Sequence, residues 1–177
     1  MVKLLVIGYA RHGKDLACEY LSWTYGLKFV SSSRFICEKA VFPVLREKYG
    51  YKTVEECFDD RAVHRAEWFD LISEYNTPDK SRLGREILEK YDIYCGLRNA
   101  EEWEALKAAK VFDYVLWIDA SKRLETKEDT TSNTMLPQMA DFIIDNNGSP
   151  GDMYEQLDAL LEKIAKEGKH KVRHWSA

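Results

Sequence analysis

Apolar residues first come as an unbroken run, Leu4-Leu5-Val6-Ile7, and then change period. Beyond Gly8 they recur at Leu16, Ala17, Tyr20, Leu21 and Tyr25, the spacing of one helical face. The run predicts a buried strand over about Lys3 to Ile7, and the spacing a helix from Gly13 to about Tyr25 that Gly26 stops. Lys28-Phe29-Val30 predicts a short second strand, which ends in Ser31-Ser32-Ser33, a polar triplet suited to capping a helix that begins near Arg34. From Arg34 to Lys90 the pattern is helical, over about 34–49, 54–58, 60–75 and 79–91, with breaks at Gly50 and Asn76-Thr77-Pro78. Asp92 to Cys95 predicts a third strand, with a helix over about 100–109 after it. Tyr114 to Ile118, ending at Asp119, gives the clearest buried-strand signal. Ser121 to Met135 is polar and threonine-rich, a mobile loop or short helix over the site. Phe142 to Asp145 predicts a fifth strand that runs into the turn Asn146-Asn147-Gly148-Ser149-Pro150, and then an amphipathic helix over about 151–166. The basic tail from Glu167 to Ala177 reads as frayed.

Alternating strands and helices predict an α/β fold around a parallel sheet. A helical stretch as long as 34–90 exceeds what a crossover needs, so it should build part of a binding site. The chain of 177 residues is read as a single domain, and no internal repeat is present. A charged fraction of 32% and a hydrophobic fraction of 45% are those of a globular protein. A formal net charge of −4 leaves no global footprint for nucleic acid, although a local basic patch stays open. Cys18, Cys37, Cys57 and Cys95 form no Cys-x-x-Cys pair and read as free thiols of a reducing compartment. The opening segment is too short for a signal peptide and no apolar run approaches ~18 residues, so a cytoplasmic location without membrane contact is expected.

Candidate chemistry starts at Gly8-Tyr9-Ala10-Arg11-His12-Gly13-Lys14-Asp15, between the first strand and the first helix. Its spacing is that of a phosphate-binding loop, G-x-x-x-x-G-K-[ST], with Asp15 where a hydroxyl residue usually stands. Glycines let the backbone turn tightly and aim successive N–H groups into one concavity at a helix N-terminus, and Lys14 adds a mobile positive charge. Donor-nucleotide contacts are expected from Gly8, Ala10, Arg11, His12, Gly13, Lys14, Asp15 and Leu16, with Asn147 added from the late turn. Asp15 suits three roles: direct Mg²⁺ ligand, ligand through water, or helix cap. His12 either touches phosphate or points to solvent.

In doubly wound sheets functional groups gather at the carboxyl ends of the strands. That rule collects the loop 8–15, then Ser31 to Arg34, Gly96-Leu97-Arg98, Asp119 with Arg123, and 145–148. Arg11, Arg34, Arg98 and Arg123 could grip phosphate there, Arg98 above all because it comes just after a glycine at the end of a buried strand. Asp119 ends an apolar strand as a metal-binding carboxylate would, or caps the next turn. Asp92 begins its strand and is left out. Arg61, His64 and Arg65 are spaced for one helical face, with Trp68, Phe69 and Tyr75 further along; they read equally as a charged face backed by core aromatics and as an acceptor-binding wall. Arg82 and Arg85 are a similar case.

With Gly13-Lys14-Asp15, the segment Phe29 to Phe35, Gly96-Leu97-Arg98 and the stretch Ala140 to Ser149, the sequence resembles the nucleoside monophosphate kinase group of P-loop proteins, within it the phage deoxynucleoside monophosphate kinases. The resemblance implies a P-loop kinase fold: a five-stranded parallel sheet with helices on both faces, a helical acceptor-binding insertion over about 34–91 and a lid over about 120–135. It implies an ATP- and Mg²⁺-dependent enzyme that moves the γ-phosphoryl group to a deoxynucleoside monophosphate. Lys14, Asp119, Arg98 and Arg123 would act in catalysis, Asp15 and Asp119 would position the metal, and Ser32, Ser33, Arg34, Arg65, Trp68 and Arg98 would hold the acceptor. Two features depart from the pattern: the lid carries the single Arg123, and the proline of the acceptor motif before Arg98 is missing. Also similar are phage P-loop kinases that phosphorylate the hydroxyl of 5-hydroxymethyluracil in DNA, for which the basic stretch Lys169 to Arg173 offers a contact. The partner is then a small nucleotide or a modified DNA base, in the host cytoplasm if the chain is viral, with a monomeric or homodimeric protein. A GTPase-like switch is a third class, but the guanine-reading N-K-x-D segment it requires is absent.

Overall fold

The computed structural model describes residues 1–124 and 133–167, so the tail beyond 167 and lid positions 125–132 lie outside the described residues. Five strands, β1 (Leu4–Ile7), β2 (Phe29–Ser31), β3 (Ile93–Cys95), β4 (Tyr114–Asp119) and β5 (Phe142–Asp145), form one parallel sheet in the order β2-β3-β1-β4-β5. Side chains alternate across it. Leu5, Ile7, Tyr94, Val115 and Trp117 enter one core, and Leu4, Val6, Ile93, Cys95, Leu116 and Ile118 enter the other. A central strand buried on both faces must be apolar throughout, which explains the unbroken run 4–7.

Helices α1 (Lys14–Tyr25) and, last in the chain, α8 (Pro150–Lys166) cover the second core. On α8, Met153, Leu157, Leu160, Leu161 and Ile164 are buried, each worth roughly 1.5–3 kcal/mol. The first core is covered by α2 (Ser32–Ile36), α3 (Phe42–Tyr49), α4 (Val54–Asp59), α5 (Arg65–Tyr75), α6 (Arg82–Lys90) and α7 (Ala100–Ala108). Among the described residues no helix is long and apolar enough to cross a membrane.

Two departures from the expected helices have local causes. The stretch 34–49 passes through a π-helical turn, Cys37–Val41, because Pro43 has no N–H to continue the ladder. The segment 60–75 breaks after a 3₁₀ turn, Asp60–Ala62, and α5 starts only at Arg65. Arg61, His64 and Arg65 therefore do not share a helical face. At the break His64 lies 3.2 Å from Asp60 and 3.6 Å from Glu67, and stacks on Tyr49 at 4.0 Å.

All four cysteines are buried free thiols. Cys95 Sγ donates to Asp15 Oδ1 at 3.5 Å, and Cys37 Sγ to the Val54 carbonyl at 3.7 Å. Burial raises Cys18 and pushes Cys37 up to about 12, which keeps both thiols protonated and inert.

One buried carboxyl stands out. Glu102, in the first turn of α7, accepts a 2.8 Å hydrogen bond from the buried Tyr94 hydroxyl, and burial pushes its pKa up to about 7. A group that holds its proton more tightly in the folded state stabilises the fold fully below the unfolded pKa near 4.5, and that contribution is lost as pH rises to about 7. The loss amounts to at most roughly 3 kcal/mol. Urea denaturation of the wild type should thus weaken between pH 4.5 and 7, whereas Glu102→Gln should show a flatter profile; parallel profiles would show that Glu102 titrates normally.

Candidate active site

The loop after β1 is shaped by two glycines. Gly8 has φ 143°, and a Cβ on it would lie 2.6 Å from the Ile118 carbonyl oxygen of β4. Gly13 has φ 94°, and a Cβ there would lie 2.3 Å from Asn146 Nδ2. Arg11 also takes a positive φ, 64°, a sparsely populated conformation outside glycine. Gly13 caps α1, so the loop amides and the first turn of α1 supply the partial positive charge that attracts anions. Lys14 Nζ donates to the Gly8 and Tyr9 carbonyls at 2.9 and 2.6 Å, which holds the ammonium at the loop itself.

His12 corrects one of its two sequence expectations, for its ring does not point to solvent. It is buried, and the backbone N–H of Ala120, just past β4, donates to its Nδ1 at 3.0 Å. Burial lowers its pKa and Nδ1 accepts, so the imidazole is neutral with its proton on Nε2. Asn146, buried at the exit of β5, donates from Nδ2 to the His12 carbonyl at 2.9 Å, while its own N–H donates to the Asp119 carbonyl at 2.7 Å. The ring of Tyr9 meets Trp117 edge-on at 4.9 Å and His12 at 5.6 Å. The loop is thereby pinned to the ends of β4 and β5. Sequence reasoning placed Asn146 at this edge but chose Asn147 for nucleotide contact; only the close approach of Gly13 reveals Asn146 as the fastener.

On the same edge, Asp119 accepts from the Ser121 N–H at 3.2 Å, the Ser121 hydroxyl at 3.0 Å and Asn147 Nδ2 at 3.3 Å. It caps the turn after β4, one of its two expected roles. Asn147 also accepts from the Lys122 N–H at 2.8 Å, and Arg123 Nε donates to the Asn146 carbonyl at 2.7 Å. The Asn147 N–H beside Asp145 holds that carboxyl below the usual range. Asp15, in the exposed first turn of α1, accepts from Cys95 Sγ at 3.5 Å. No cluster of three or more metal-ligating side chains occurs among the described residues. Mg²⁺ held chiefly by phosphates and water needs only one or two carboxylates, and Asp15 and Asp119 fit that modest requirement.

Across β1 from Asp119, Ser31 Oγ accepts from the Arg34 N–H at 3.2 Å, and Ser32 Oγ donates to the Gly96 carbonyl at 3.2 Å. Ser33 Oγ lies 3.5 Å from Ser31 Oγ. The exposed Arg98 is fixed through its backbone, whose carbonyl accepts from the Thr134 N–H at 2.9 Å. Met135, the last residue of the segment expected to form a mobile loop or short helix, is packed into the first core. Arg34 is paired with Glu55 and lies 3.7 Å from Glu38, so its guanidinium is already neutralised. Trp68 corrects the acceptor-wall reading: it is only 6% exposed, packs against Phe58 and belongs to the core. Arg65 is exposed at the start of α5. A shallow concavity of about 400 Å³ between Trp103, Lys107 and Asp141 opens near the amino end of β4, away from this edge.

The glycines give a direct test. Gly8→Ala should cost more than about 2 kcal/mol, since its Cβ would meet β4 backbone at a strained φ. Gly50→Ala, at φ 75° with open space around it, should cost only the left-handed penalty of about 1–2 kcal/mol and leave the loop untouched. Equal denaturation midpoints for the two variants would contradict the close approach of loop and β4.

No family model matches the sequence, and no curated protein does. Solved structures do. Shikimate kinase from Aquifex aeolicus VF5 superimposes with a TM-score of 0.54 at 18% identity, covering 93% of this chain and 98% of that one. TT1252 from Thermus thermophilus superimposes with 0.50 at 15% identity, covering 92% and 97%. At such identities the likeness concerns architecture: the chain shares the α/β fold of that shikimate kinase, five parallel strands between two helical layers.

Proposed function

We propose that the chain is an ATP- and Mg²⁺-dependent phosphotransferase that moves the γ-phosphoryl group to a deoxynucleoside monophosphate. One observation carries this reading: the loop Gly8 to Asp15, with Lys14 at its mouth, shares a sheet edge with Arg98 on one side and Arg123 on the other. Phosphoryl transfer between two phosphate-bearing partners needs positive charge on both flanks of the donor. Lys14 would exchange its carbonyl partners for the β- and γ-phosphates, beside the amides from Ala10 to Leu16. Asp15 and Asp119 would hold the metal, which neutralises phosphate charge, and Asn147 with Arg123 would border the donor. Ser32, Ser33 and Arg98 would hold the acceptor.

An oxygen of the acceptor phosphate attacks the γ-phosphorus while the bond to the β–γ bridging oxygen breaks, leaving ADP. No proton needs to be removed from such an acceptor. A hydroxyl acceptor would need a base, and the exit of β2 presents Ser31, Ser32 and Ser33 without a carboxylate. Arg34 is better read as a strut of the insertion, given its pairing with Glu55. DNA is a poor fit on charge, because segment 54–76 carries seven carboxylates against two arginines. We take the unit to be one domain working as a monomer or homodimer on a cytoplasmic nucleotide pool.

The test is transfer from γ-labelled ATP to a panel of deoxynucleoside monophosphates, with 5-hydroxymethyluracil DNA as the competing acceptor. Label on a free nucleotide supports the reading, and label on DNA alone overturns it. Lys14→Ala should lower kcat by at least about 10³-fold with the fold intact. Arg98→Ala should raise the acceptor KM about 10–100-fold and leave the ATP KM nearly unchanged, reflecting a lost charge-assisted contact. A defect confined to ATP would reverse the assignment of Arg98.

A further inference from the structure

At the tip of the phosphate-binding loop an arginine holds a conformation suited to glycine. Arg11 has φ 64°, and among the described residues the other non-glycine residue with a positive φ is Lys110, at 54°. Lys110 closes the end of α7. Its N–H donates to the Lys107 carbonyl at 3.1 Å and the Val111 N–H donates to the Leu106 carbonyl at 3.4 Å, so a left-handed residue there is ordinary helix termination. Arg11 ends no helix. The His12 N–H donates to the Tyr9 carbonyl at 3.3 Å, which folds 9–12 into a tight turn. Both flanks of that turn are fixed, Tyr9 by its ring against Trp117 and His12 by its bonds with Ala120 and Asn146. The turn therefore imposes a left-handed backbone on position 11, which glycine would adopt without steric cost.

The Arg11 side chain has no competing partner. It is exposed, and its guanidinium makes no hydrogen bond, ion pair or ring contact among the described residues. Two other arginines of this edge are engaged: Arg34 with Glu55 and Glu38, and Arg123 through Nε with the Asn146 carbonyl. Arg98 follows β3, on the side of the acceptor groups. The Tyr9 carbonyl accepts from the His12 N–H and from Lys14 Nζ, so one backbone oxygen ties together the turn that carries Arg11 and the ammonium of the loop. A solvated surface charge would explain the exposure of Arg11 but not a backbone conformation that disfavours every residue except glycine.

We infer that Arg11 is a catalytic residue: its guanidinium grips the γ-phosphoryl group of the donor nucleotide, beside Lys14, and follows it through transfer. The inference rests on the phosphotransferase reading of the loop and on no particular acceptor. As the acceptor oxygen bonds to the γ-phosphorus and the bond to the β–γ bridging oxygen breaks, negative charge spreads over three peripheral oxygens. Two N–H groups of a planar guanidinium match two of those oxygens, and no proton moves. The expected lid carries the single Arg123, so the loop tip supplies from a fixed position the charge that a lid would otherwise bring.

Arg11→Gly removes the guanidinium and the backbone cost together, which separates function from structure. It should lower kcat about 10²–10³-fold, the usual loss when one donor aimed at developing charge is removed. Titration calorimetry provides a readout that needs no turnover: the variant should bind ATP about 10-fold more weakly, as for one lost hydrogen bond to a charged group, and ADP less than about 2-fold more weakly. Its Tm should stay level or rise by up to about 3 °C, because the left-handed cost disappears. Arg11→Lys keeps the charge without the fork and should recover ATP affinity more than kcat. Lys110→Gly is the control, with the same backbone relief and an unchanged kcat. A kcat loss in Arg11→Gly under about 10-fold, equal losses of ATP and ADP affinity, or a lower Tm would overturn the inference. A loss of ATP preference in Arg11→Gly, in a protein that passes label to no deoxynucleoside monophosphate, would instead overturn the deoxynucleotide reading and leave the assignment of Arg11 standing.

Discussion

A phosphate-binding loop has to hold several N–H groups in one direction before any anion arrives, and here that constraint is met by two buried hydrogen bonds. Ala120 donates to the imidazole of His12, and Asn146 donates to the His12 carbonyl. Both bonds are shielded from water, so breaking either would strand a buried polar group at a cost of about 1–3 kcal/mol. The same arrangement dictates the glycines: a side chain at Gly8 would meet Ile118, and one at Gly13 would meet Asn146. Because Ala120 comes directly after β4 and Asn146 directly after β5, the loop is tied to the two strands whose ends carry Asp119, Arg123 and Asn147. Donor-side geometry is therefore a property of the whole half-sheet β1-β4-β5.

The other half, β3 and β2, is built differently. Its exits carry hydroxyls and one exposed arginine, and its order comes from the buried Tyr94–Glu102 bond beneath and from Thr134 bonding the Arg98 carbonyl above. The two halves meet at β1, and Asp15 of α1 accepts from Cys95 of β3 across that junction. The helices from α2 to α7 all pack on one face of the sheet, over the core that Tyr94 enters.

Much of the fold was legible because the physics is local. Unbroken apolar runs and period-3.6 patterns placed all five strands and most helices within a few residues, and Ser31 caps α2 as the serine triplet implied. The loop was legible because its glycines, lysine and flanking elements sit together in the chain. His12, Asn146, Glu102 and Trp68 were misread or passed over, since each owes its role to a partner distant in the chain or to burial that no local pattern records. Glu102 lies within the helix expected over about 100–109, and nothing in that local pattern records its burial against Tyr94. The broken helix at His64 was hidden for a related reason: its contacts with Asp60, Glu67 and Tyr49 outweigh a helical pattern that continues straight through.

The central claim is that donor and acceptor phosphates converge on the loop Gly8 to Asp15 from opposite halves of the sheet. The most direct measurement is a crystal structure with a bisubstrate analogue, an adenosine joined through a chain of phosphates to a deoxynucleoside. The account predicts the phosphate chain along residues 8–15 with Lys14 turned onto it, the adenosine end toward Asn147 and Arg123, and the deoxynucleoside end beside Ser32 and Arg98. A phosphate chain in the loop with its nucleoside end directed away from Ser32 and Arg98 would contradict it.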